Sequence, residues 1–386
     1  MRHHVFRAIV LMAFGLAIVG STVAHAQLFE TRAGEAVLMD GATGTILFAK
    51  NPDKEVPPAS LAKLMTIEIV FHAIKTGHLK LDDTFQVSEN AWRNGGAMSG
   101  GSTMFAKVHS TIKLEDLIQG IVVQSANDAC ITIAEGMAGS EANFAQMMTE
   151  RAREIGLQHS FFDNSTGLPD PKSHVTMRDL VMLARHLHDD YPDLYHYFGE
   201  GSFTWNKIRQ RNRNPLVEMG IGVDGLKTGF TDDSGYAIVA SMAQGDRRLY
   251  LAMSGMKSER ERAEESRKLI EWGMRSFEKR SLFAQGAVVG DASVYGGTTS
   301  ALPLKAKGPI DIFVPVSNPD KLTARITYHW PIMAPVDAGT QIGTLSVFVG
   351  DTLSQRTPLY AAEAVEKGPL YKRALDALQE MMLSWL

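Results

Sequence analysis

Hydrophobic positions recur with two periods along residues 27–278, near two in some stretches and near 3.6 in others. The first period is typical of strands and the second of helices. The predicted strands are Ala36–Asp40, Thr45–Ala49, Gly225–Thr231, Tyr236–Ala243 and Leu249–Met253. Because strands joined by such short connections pair antiparallel, the pattern predicts a hairpin followed later by three neighbouring strands. Together they predict one antiparallel sheet of about five strands.

The helical period predicts the elements that lie between and after these strands. One predicted helix begins at Leu61, and another follows Ser125 and ends near Glu135. The other predicted helices are Leu114–Val123, Asn143–Ile155, Thr176–His188 and Glu264–Phe277. Thr176 and Asp179 have the spacing of a capping box. The stretch Asn94–Ser102 is too rich in glycine for a regular element. We interpret it as a mobile loop, which is either a connector or the rim of a cleft.

The pattern changes near Leu282 to short β-type runs separated by Pro, Gly and Asp/Asn turns. Ile310–Val314, Thr323–His329 and Thr344–Val349 are examples, and they predict a second, all-β domain over residues 279–367. This domain offers no cluster of titratable or nucleophilic residues, so we expect it to be structural. The fold class is therefore α+β, with a sheet-and-helix domain, a small all-β domain and a C-terminal helix.

Residues 1–26 differ in composition from the rest of the chain. Arg2 and Arg7 precede an apolar run, and Ala24-His25-Ala26 supplies the small residues of a cleavage point. We interpret the segment as a signal peptide. A retained transmembrane helix is the alternative, but the run Ala8–Val19 is shorter than the ~20 residues that span a bilayer.

Composition excludes several classes of function. Without residues 1–26 the chain has 37 Lys+Arg against 43 Asp+Glu, a formal charge of −6, which does not favour nucleic acid. Cys130 is the only cysteine, so an exported chain has no internal disulfide, and we expect Cys130 in the core. The histidines lack metal-ligand spacing, and His186 and His188 point to different faces of one helix. We expect no metal and no cofactor.

Ser60 and Lys63 carry the first candidate chemistry. Pro57 and Pro58 force an extended approach to the helix, so Ser60 lies at its N-terminus and Lys63 lies three residues later on the same face. A buried lysine loses its charge more readily and can serve as a base for the serine hydroxyl. The alternative is a capping serine beside a solvated lysine, which is common in helices.

Two further motifs follow in the chain. Ser125-Ala126-Asn127 lies at a break between helices, and Lys227-Thr228-Gly229 lies on a predicted strand. Ser-x-x-Lys, Ser-x-Asn and Lys-Thr-Gly in this order are the motif set of penicillin-binding proteins and serine β-lactamases. The chain resembles the low-molecular-mass penicillin-binding proteins that are D-alanyl-D-alanine carboxypeptidases, peptidase family S11. The resemblance runs from the signal peptide to the last residue and includes Asn212-Arg213-Asn214 and Val223–Gly229.

The resemblance implies a catalytic domain of residues 27–278 that acts on peptidoglycan stem peptides ending in D-Ala-D-Ala and is acylated by β-lactams. It implies a role for each site residue. Ser60 is the nucleophile and Lys63 its base, while Ser125 and Asn127 relay protons and hold the substrate amide. Lys227, Thr228 and Arg213 meet the substrate carboxylate, with a surface ion pair as the alternative for Arg213. Gly229 leaves room for the substrate backbone, and the N–H groups of Ser60 and Phe230 form an oxyanion hole.

The chain departs from the family at two positions. Phe230 stands where many relatives have histidine, and Ser165-Thr166-Gly167 replaces a histidine that some relatives carry in the irregular loop Phe161–His174. A β-lactamase is one alternative, but class A enzymes need an acidic residue in that loop, and it contains no glutamate. A non-catalytic penicillin-binding module is another, and transpeptidase or endopeptidase activity would use the same residues.

The C-terminal segment, residues 368–386, is amphipathic at helical spacing. Its apolar face comprises Tyr371, Ala374, Leu375, Leu378, Met381, Met382 and Trp385. Four charged residues, Lys372, Arg373, Asp376 and Glu380, interrupt the segment, so it cannot span a bilayer. We expect it to anchor the protein peripherally on the periplasmic side of the inner membrane, as the family's tail does. The alternative is a helix docked on the β-domain.

Overall fold

The computed structural model describes residues 29–316, 322–350 and 352–374. The predicted signal peptide and residues 375–386 of the predicted tail helix lie outside the described residues. The described helices and strands lie in a compact unit that begins at Thr31. In the described part of the chain, no helix is long and apolar enough to cross a membrane.

The larger domain contains the strands β1 (Glu35–Asp40), β2 (Ile46–Lys50), β3 (Thr84–Gln86), β4 (Thr111–Lys113), β5 (Ser202–Trp205), β6 (Ile208–Arg211), β7 (Val223–Thr231), β8 (Gly235–Gln244) and β9 (Arg247–Met256). Its helices are α1 (Lys63–Lys75), α2 (Leu114–Gln124), α3 (Asn127–Ala138), α4 (Glu141–Glu154), α5 (Met177–Asp190) and α6 (Glu259–Arg275). The β-domain contains β10 (Phe277–Phe283), β11 (Val288–Tyr295), β12 (Ala301–Lys305), β13 (Ile310–Pro315), β14 (Leu322–Tyr328), β15 (Ile332–Met333), β16 (Gln341–Val349) and β17 (Thr352–Ala361).

The central sheet confirms the predicted one: it is antiparallel, with five strands in the order β2-β1-β9-β8-β7. All six residues of β1 are buried, so both faces of the sheet are covered there, and α5 and α6 both contact β1 and β9. Strand β7 is at the edge of the sheet. It therefore presents backbone groups that no neighbouring strand of this sheet pairs.

Helix α1 runs through the middle of the larger domain. Every residue from Lys63 to Phe71 is buried. A helix that is covered all round belongs to the interior rather than to an amphipathic surface layer. Its packing partners include α2, α4 and α5. The first turn of this helix therefore lies in the interior of the larger domain.

Several details differ from the sequence-based expectation. The stretch Asn94–Ser102 is not all irregular: it contains a 3-10 turn at Ala97–Ser99 and the end of a π-helical turn, Ala91–Gly95. The β5–β6 hairpin was not predicted, because its strands are short and polar. Helix α6 begins five residues before the predicted Glu264, since Ser258 caps it by accepting from the Glu261 N–H at 3.1 Å.

The predicted capping box of α5 is half right. The Thr176 hydroxyl accepts from the Asp179 N–H at 3.1 Å. The Asp179 carboxylate does not return this bond; it accepts from His159 N–H at 2.9 Å and from the Ser160 hydroxyl at 2.7 Å. Asp179 therefore ties α5 to the segment that precedes the irregular loop, which the local spacing of residues does not reveal.

The β-domain has a two-stranded sheet, β10-β13, and a six-stranded sheet in the order β14-β16-β17-β12-β11-β15. It touches the larger domain through side chains: the Arg247 guanidinium lies 4.3 Å from the Phe313 ring centroid, and Thr45 Oγ1 lies 3.4 Å from Gln355 Oε1. After β17 the chain returns along the domain, and residues 370–374 are helical.

Candidate active site

Ser60 lies in a 3-10 turn, Ala59–Ala62, that leads directly into α1. The Leu61 N–H donates to the Pro58 carbonyl at 3.1 Å, which closes this turn. Lys63 is the first residue of α1, and its Nζ lies 3.0 Å from Ser60 Oγ. The three-residue spacing thus places the amine and the hydroxyl in hydrogen-bond contact, as the sequence predicted.

Lys63 is 1% exposed, and its environment favours the neutral amine. Its Nζ donates a second hydrogen bond to the Thr166 carbonyl at 2.5 Å. Among the described residues no carboxylate forms an ion pair with it. Burial lowers the pKa of Lys63 to about 8, with a further lowering by Arg213, although Cys130, Glu141 and Asp128 oppose the shift. Near neutral pH a larger fraction of this amine is therefore unprotonated than in an exposed lysine.

Ser125 occupies the break between α2 and α3 with left-handed backbone angles, φ 66° and ψ 32°. Such a conformation is strained for serine and is frequent at functional sites. Its buried Oγ has no hydrogen-bond partner among the described residues. An unpartnered buried hydroxyl is free to bond to a substrate group.

Asn127 and Asp128 fix the neighbouring segment at the start of α3. The Asn127 N–H donates to the Ser102 carbonyl at 2.8 Å. The buried Asp128 carboxylate accepts from the Thr103 hydroxyl at 2.6 Å and from the Met104 and Ala106 N–H groups at 3.0 and 2.9 Å. Residues 102–106 are therefore held beside Ser125.

Strand β7 supplies the third motif. Lys227 is 2% exposed, its Nζ donates to the Thr228 carbonyl at 3.1 Å, and burial together with Lys63 and Arg213 holds its pKa well below the ordinary value. At Gly229 an added Cβ would lie 3.1 Å from the Ala59 Cβ and 3.4 Å from the Ser60 N. Glycine at this position is what lets the edge strand approach the Ser60 turn.

One cavity of about 620 Å³ joins these parts. It is lined by Ser60, Ser102, Ser125, Arg211, Asn212, Arg213, Pro215, Glu218, Thr228, Gly229, Phe230, Tyr236, Glu259 and Arg262. Six of the nine predicted site residues are on this wall. Lys63 is behind Ser60 and Lys227 is beside Thr228, while Asn127 contacts the segment that contains Ser102. Ser102 is the last residue of the glycine-rich stretch, which favours the cleft-rim interpretation of that stretch.

Several contributors to the site were not predicted from the sequence, among them Thr166, Arg262 and Glu259. The Thr166 carbonyl binds Lys63, but a backbone acceptor leaves no trace in residue type. Arg262 is 6% exposed, and its Nε has no partner among the described residues. Its guanidinium lies 5.6 Å from the Tyr236 ring centroid, and Tyr236 in turn packs on the half-exposed Phe230 at 4.4 Å. Glu259, at the start of α6, also lines the cavity.

The site has the parts needed for acyl transfer. A serine hydroxyl lies beside a buried amine, a second hydroxyl lines the cavity, and arginines line the same cavity. No group of three or more His, Cys, Asp or Glu side chains in the described ranges could hold a metal ion. A five-stranded sheet with this serine turn, joined to a C-terminal all-β domain, is the fold of the penicillin-binding proteins.

Comparisons with known proteins agree with this class. Residues 21–258 match the family model of D-alanyl-D-alanine carboxypeptidase, and residues 277–367 match the C-terminal domain of penicillin-binding protein 5. The chain is 37% identical to the D-alanyl-D-alanine carboxypeptidase DacC of Escherichia coli K12, over 90% of this chain and 88% of that protein. The structure of penicillin binding protein 5 from Haemophilus influenzae matches with a TM-score of 0.73 and 32% identity, covering 88% of this chain and 99% of that one.

A third relative was solved with a ligand bound. Penicillin-binding protein D2 from Listeria monocytogenes, solved in an ampicillin-bound form, matches with a TM-score of 0.56 and 26% identity over 64% of this chain and 99% of that one. The chain therefore belongs to the D-alanyl-D-alanine carboxypeptidase family, peptidase family S11, and is a serine peptidase.

Proposed function

We propose that this protein removes the terminal D-alanine from peptidoglycan stem peptides through an acyl-enzyme on Ser60. The observation that carries this assignment is the 3.0 Å contact between Ser60 Oγ and a buried Lys63 amine, which has no carboxylate within ion-pair distance among the described residues. Family membership supports the same reaction. Lys63 takes the hydroxyl proton as Ser60 attacks the carbonyl between the two D-alanines.

The remaining groups stabilise and complete this step. The N–H groups of Ser60 and Phe230 bind the developing oxyanion, because Gly229 brings β7 against the Ser60 turn. Ser125 passes a proton to the departing amine of D-alanine, and Asn127 holds the substrate amide. Water then attacks the ester, which releases the shortened peptide and restores Ser60.

The substrate carboxylate is bound by cations. Lys227 and Thr228 meet it on β7, and Arg213 adds a guanidinium from the loop after β6. No carboxylate in the described ranges pairs with Arg213 within ion-pair distance. This supports substrate binding over the surface ion pair that was the alternative for Arg213.

Penicillins acylate Ser60 in the same way, since the β-lactam amide takes the place of the scissile peptide bond. In the irregular loop the group that faces Lys63 is the Thr166 carbonyl rather than a glutamate. A carbonyl cannot act as a general base for water. A β-lactamase is therefore less well supported than a carboxypeptidase that β-lactams inhibit.

We further propose that residues 1–26 direct export to the periplasm, that residues 27–278 and 279–367 are the catalytic and spacer domains, and that residues 368–386 bind the inner membrane. Leu370 and Tyr371 are 80% and 78% exposed, as expected for side chains that insert into a lipid interface. The start of the tail is also tied to the β-domain, because Lys372 Nζ donates to the Thr298 carbonyl at 2.7 Å.

The decisive experiment compares wild type, Ser60→Ala and Ser293→Ala, the last an exposed serine of the β-domain. Each is incubated with penicillin and with a D-Ala-D-Ala pentapeptide, with and without an amine acceptor. Intact mass, released D-alanine and cross-linked product are then measured. Ser60→Ala should lose both the penicillin adduct and D-alanine release, while Ser293→Ala should match wild type. An adduct that persists in Ser60→Ala would refute the assignment.

A further inference from the structure

The carbonyl that holds Lys63 belongs to a tight turn, residues 164–167, within the irregular loop. Asn164 Oδ1 accepts three bonds from this turn: the Thr166 N–H at 3.1 Å, the Thr166 hydroxyl at 2.8 Å and the Gly167 N–H at 2.7 Å. A Cβ on Gly167 would overlap the Ala59 carbonyl oxygen at 1.7 Å. The turn therefore packs directly on the Ser60 segment and leaves no space for a bulkier residue.

Ser165 attaches this turn to two helices. It is completely buried, and its carbonyl accepts from the Thr66 hydroxyl of α1 at 2.6 Å. Its own hydroxyl and N–H donate to Glu141 Oε1, at 2.9 and 3.3 Å. Glu141 is the first residue of α4 and is partly exposed. One carboxylate oxygen thus fixes the residue that precedes the Thr166 carbonyl.

The position of that carbonyl matters because a neutral amine has two N–H donors and one lone pair. When one N–H of Lys63 is held by the Thr166 carbonyl, rotation about the terminal C–N bond is restricted. The lone pair can then face the Ser60 hydroxyl, which must donate its proton in the reaction. A displaced carbonyl would leave the amine free to rotate, and a misaligned base is a poor base.

We propose that Glu141 is a positioning residue for the Lys63 base. It accepts two hydrogen bonds from Ser165, and this holds the next residue, Thr166, so that its carbonyl can bind the Lys63 amine. This inference rests on the proposed function, in which Lys63 activates Ser60. Other groups that face Lys63 are Cys130 and Asp128 from α3, Arg213 from the loop after β6, and Lys227 from β7. Unlike these four groups, Glu141 is hydrogen-bonded to the turn that contains Thr166.

The test separates the acceptor role of Glu141 from its charge. Glu141→Gln keeps an oxygen acceptor and removes the charge, whereas Glu141→Ala removes both. Glu150→Gln and Glu150→Ala, at an exposed position of the same helix, are matched controls. For each variant the second-order rate constant of acylation by a reporter penicillin is measured against pH, together with the melting temperature.

We expect Glu141→Ala to lower the acylation rate constant by about 10- to 100-fold. Glu141→Gln should stay within about threefold of wild type at its optimum. Its acid limb should move to lower pH, since loss of a nearby negative charge makes Lys63 easier to deprotonate. The Glu150 variants should retain the wild-type rate and profile.

A rate and pH profile for Glu141→Ala equal to those of Glu150→Ala would overturn the inference. If Glu141→Ala does not fold, Ser165→Ala decides, because it removes only the hydroxyl donor. A wild-type acylation rate in folded Ser165→Ala, with an unshifted Glu141→Gln profile, would then overturn it. Failure of the proposed function is distinct: wild type itself would form no penicillin adduct on Ser60.

Discussion

Lys63 is suited to act as a base because no carboxylate among the described residues forms an ion pair with it. An ammonium group removed from water, without a paired carboxylate, is destabilised relative to the amine. The residue has two hydrogen-bond partners, Ser60 Oγ and the Thr166 carbonyl, and a neutral amine can donate to the carbonyl while it accepts from the hydroxyl. Burial thus makes Lys63 Nζ more readily deprotonated, and the two contacts hold it in position. Burying this polar group in the larger domain destabilises the fold in exchange.

A pH dependence follows from this residue. Because the pKa of Lys63 is about 8 and the neutral amine is the active form, kcat/KM for D-alanine release should rise with pH and reach half its maximum near pH 8. The measurement is kcat/KM from about pH 6 to 10, with the acylation rate by penicillin recorded in parallel. A profile that is flat between about pH 7 and 9 would mean that another group accepts the proton.

At the scale of elements, the site is made by three segments that meet around Ser60: its own 3-10 turn, the break between α2 and α3, and the edge strand β7. Close contact between the first and third depends on Gly229. The free edge of β7 also allows an extended peptide to add as a further strand, with its scissile bond beside Ser60. The reacting groups are therefore placed by backbone packing rather than by long side chains.

Gly229→Ala tests this contact. The new Cβ would lie 3.1 to 3.4 Å from Ala59, Leu61 and Ser60, so β7 or the serine turn must shift. We expect a loss of about 1 kcal/mol in the free energy of unfolding and about a tenfold slower acylation. Gly201→Ala is the control, because nothing lies within 4 Å of its added Cβ. Equal acylation rates in the two variants would show that the close approach is not needed.

Elements in which apolar residues repeat at a regular spacing could be predicted from the sequence. The five strands of the sheet and the buried stripe of α5 could be predicted because they repeat apolar residues at fixed spacing. The β5–β6 hairpin lacks such a repeat and was not predicted. The Asp179 carboxylate binds His159 and Ser160 instead of completing the predicted capping box, and local spacing does not reveal those partners. In the site, the Ser60–Lys63 contact follows from helical geometry. The contact of the Thr166 carbonyl with Lys63 and the position of Arg262 at the cavity do not, because both depend on tertiary packing.

For the whole molecule, the tail provides a test of location. Deletion of residues 369–386 should leave D-alanine release from soluble peptide unchanged, since the site is formed entirely by the larger domain. The exported protein should move from the membrane fraction to the soluble fraction, because an amphipathic helix supplies the lipid contact. Full-length Ser60→Ala is the control and should remain with membranes. A truncated protein that still sediments with membranes, or loses its fold, would disprove the anchor.

The arginines around the cavity should affect how fast anionic ligands associate with the protein. The chain has a formal charge of −4, yet Arg211, Arg213 and Arg262 outnumber Glu218 and Glu259 on the cavity wall. A local positive potential on an acidic protein attracts anionic molecules from a distance and guides them to one place. The protein would then sample carboxylate-terminated peptides and penicillins faster than neutral ones.

Ionic strength measures this attraction. The second-order acylation rate constant of an anionic penicillin should fall as salt rises from about 0.01 to 0.5 M, because the Debye length shortens from about 30 Å to only a few ångströms. Arg211→Gln should flatten that dependence, and a neutral penicillin ester should show almost none. A salt-independent rate for the anion would mean that capture is governed by contact alone. If the rate constant does fall with salt, the ionic strength around the protein will affect how fast anionic β-lactams acylate Ser60.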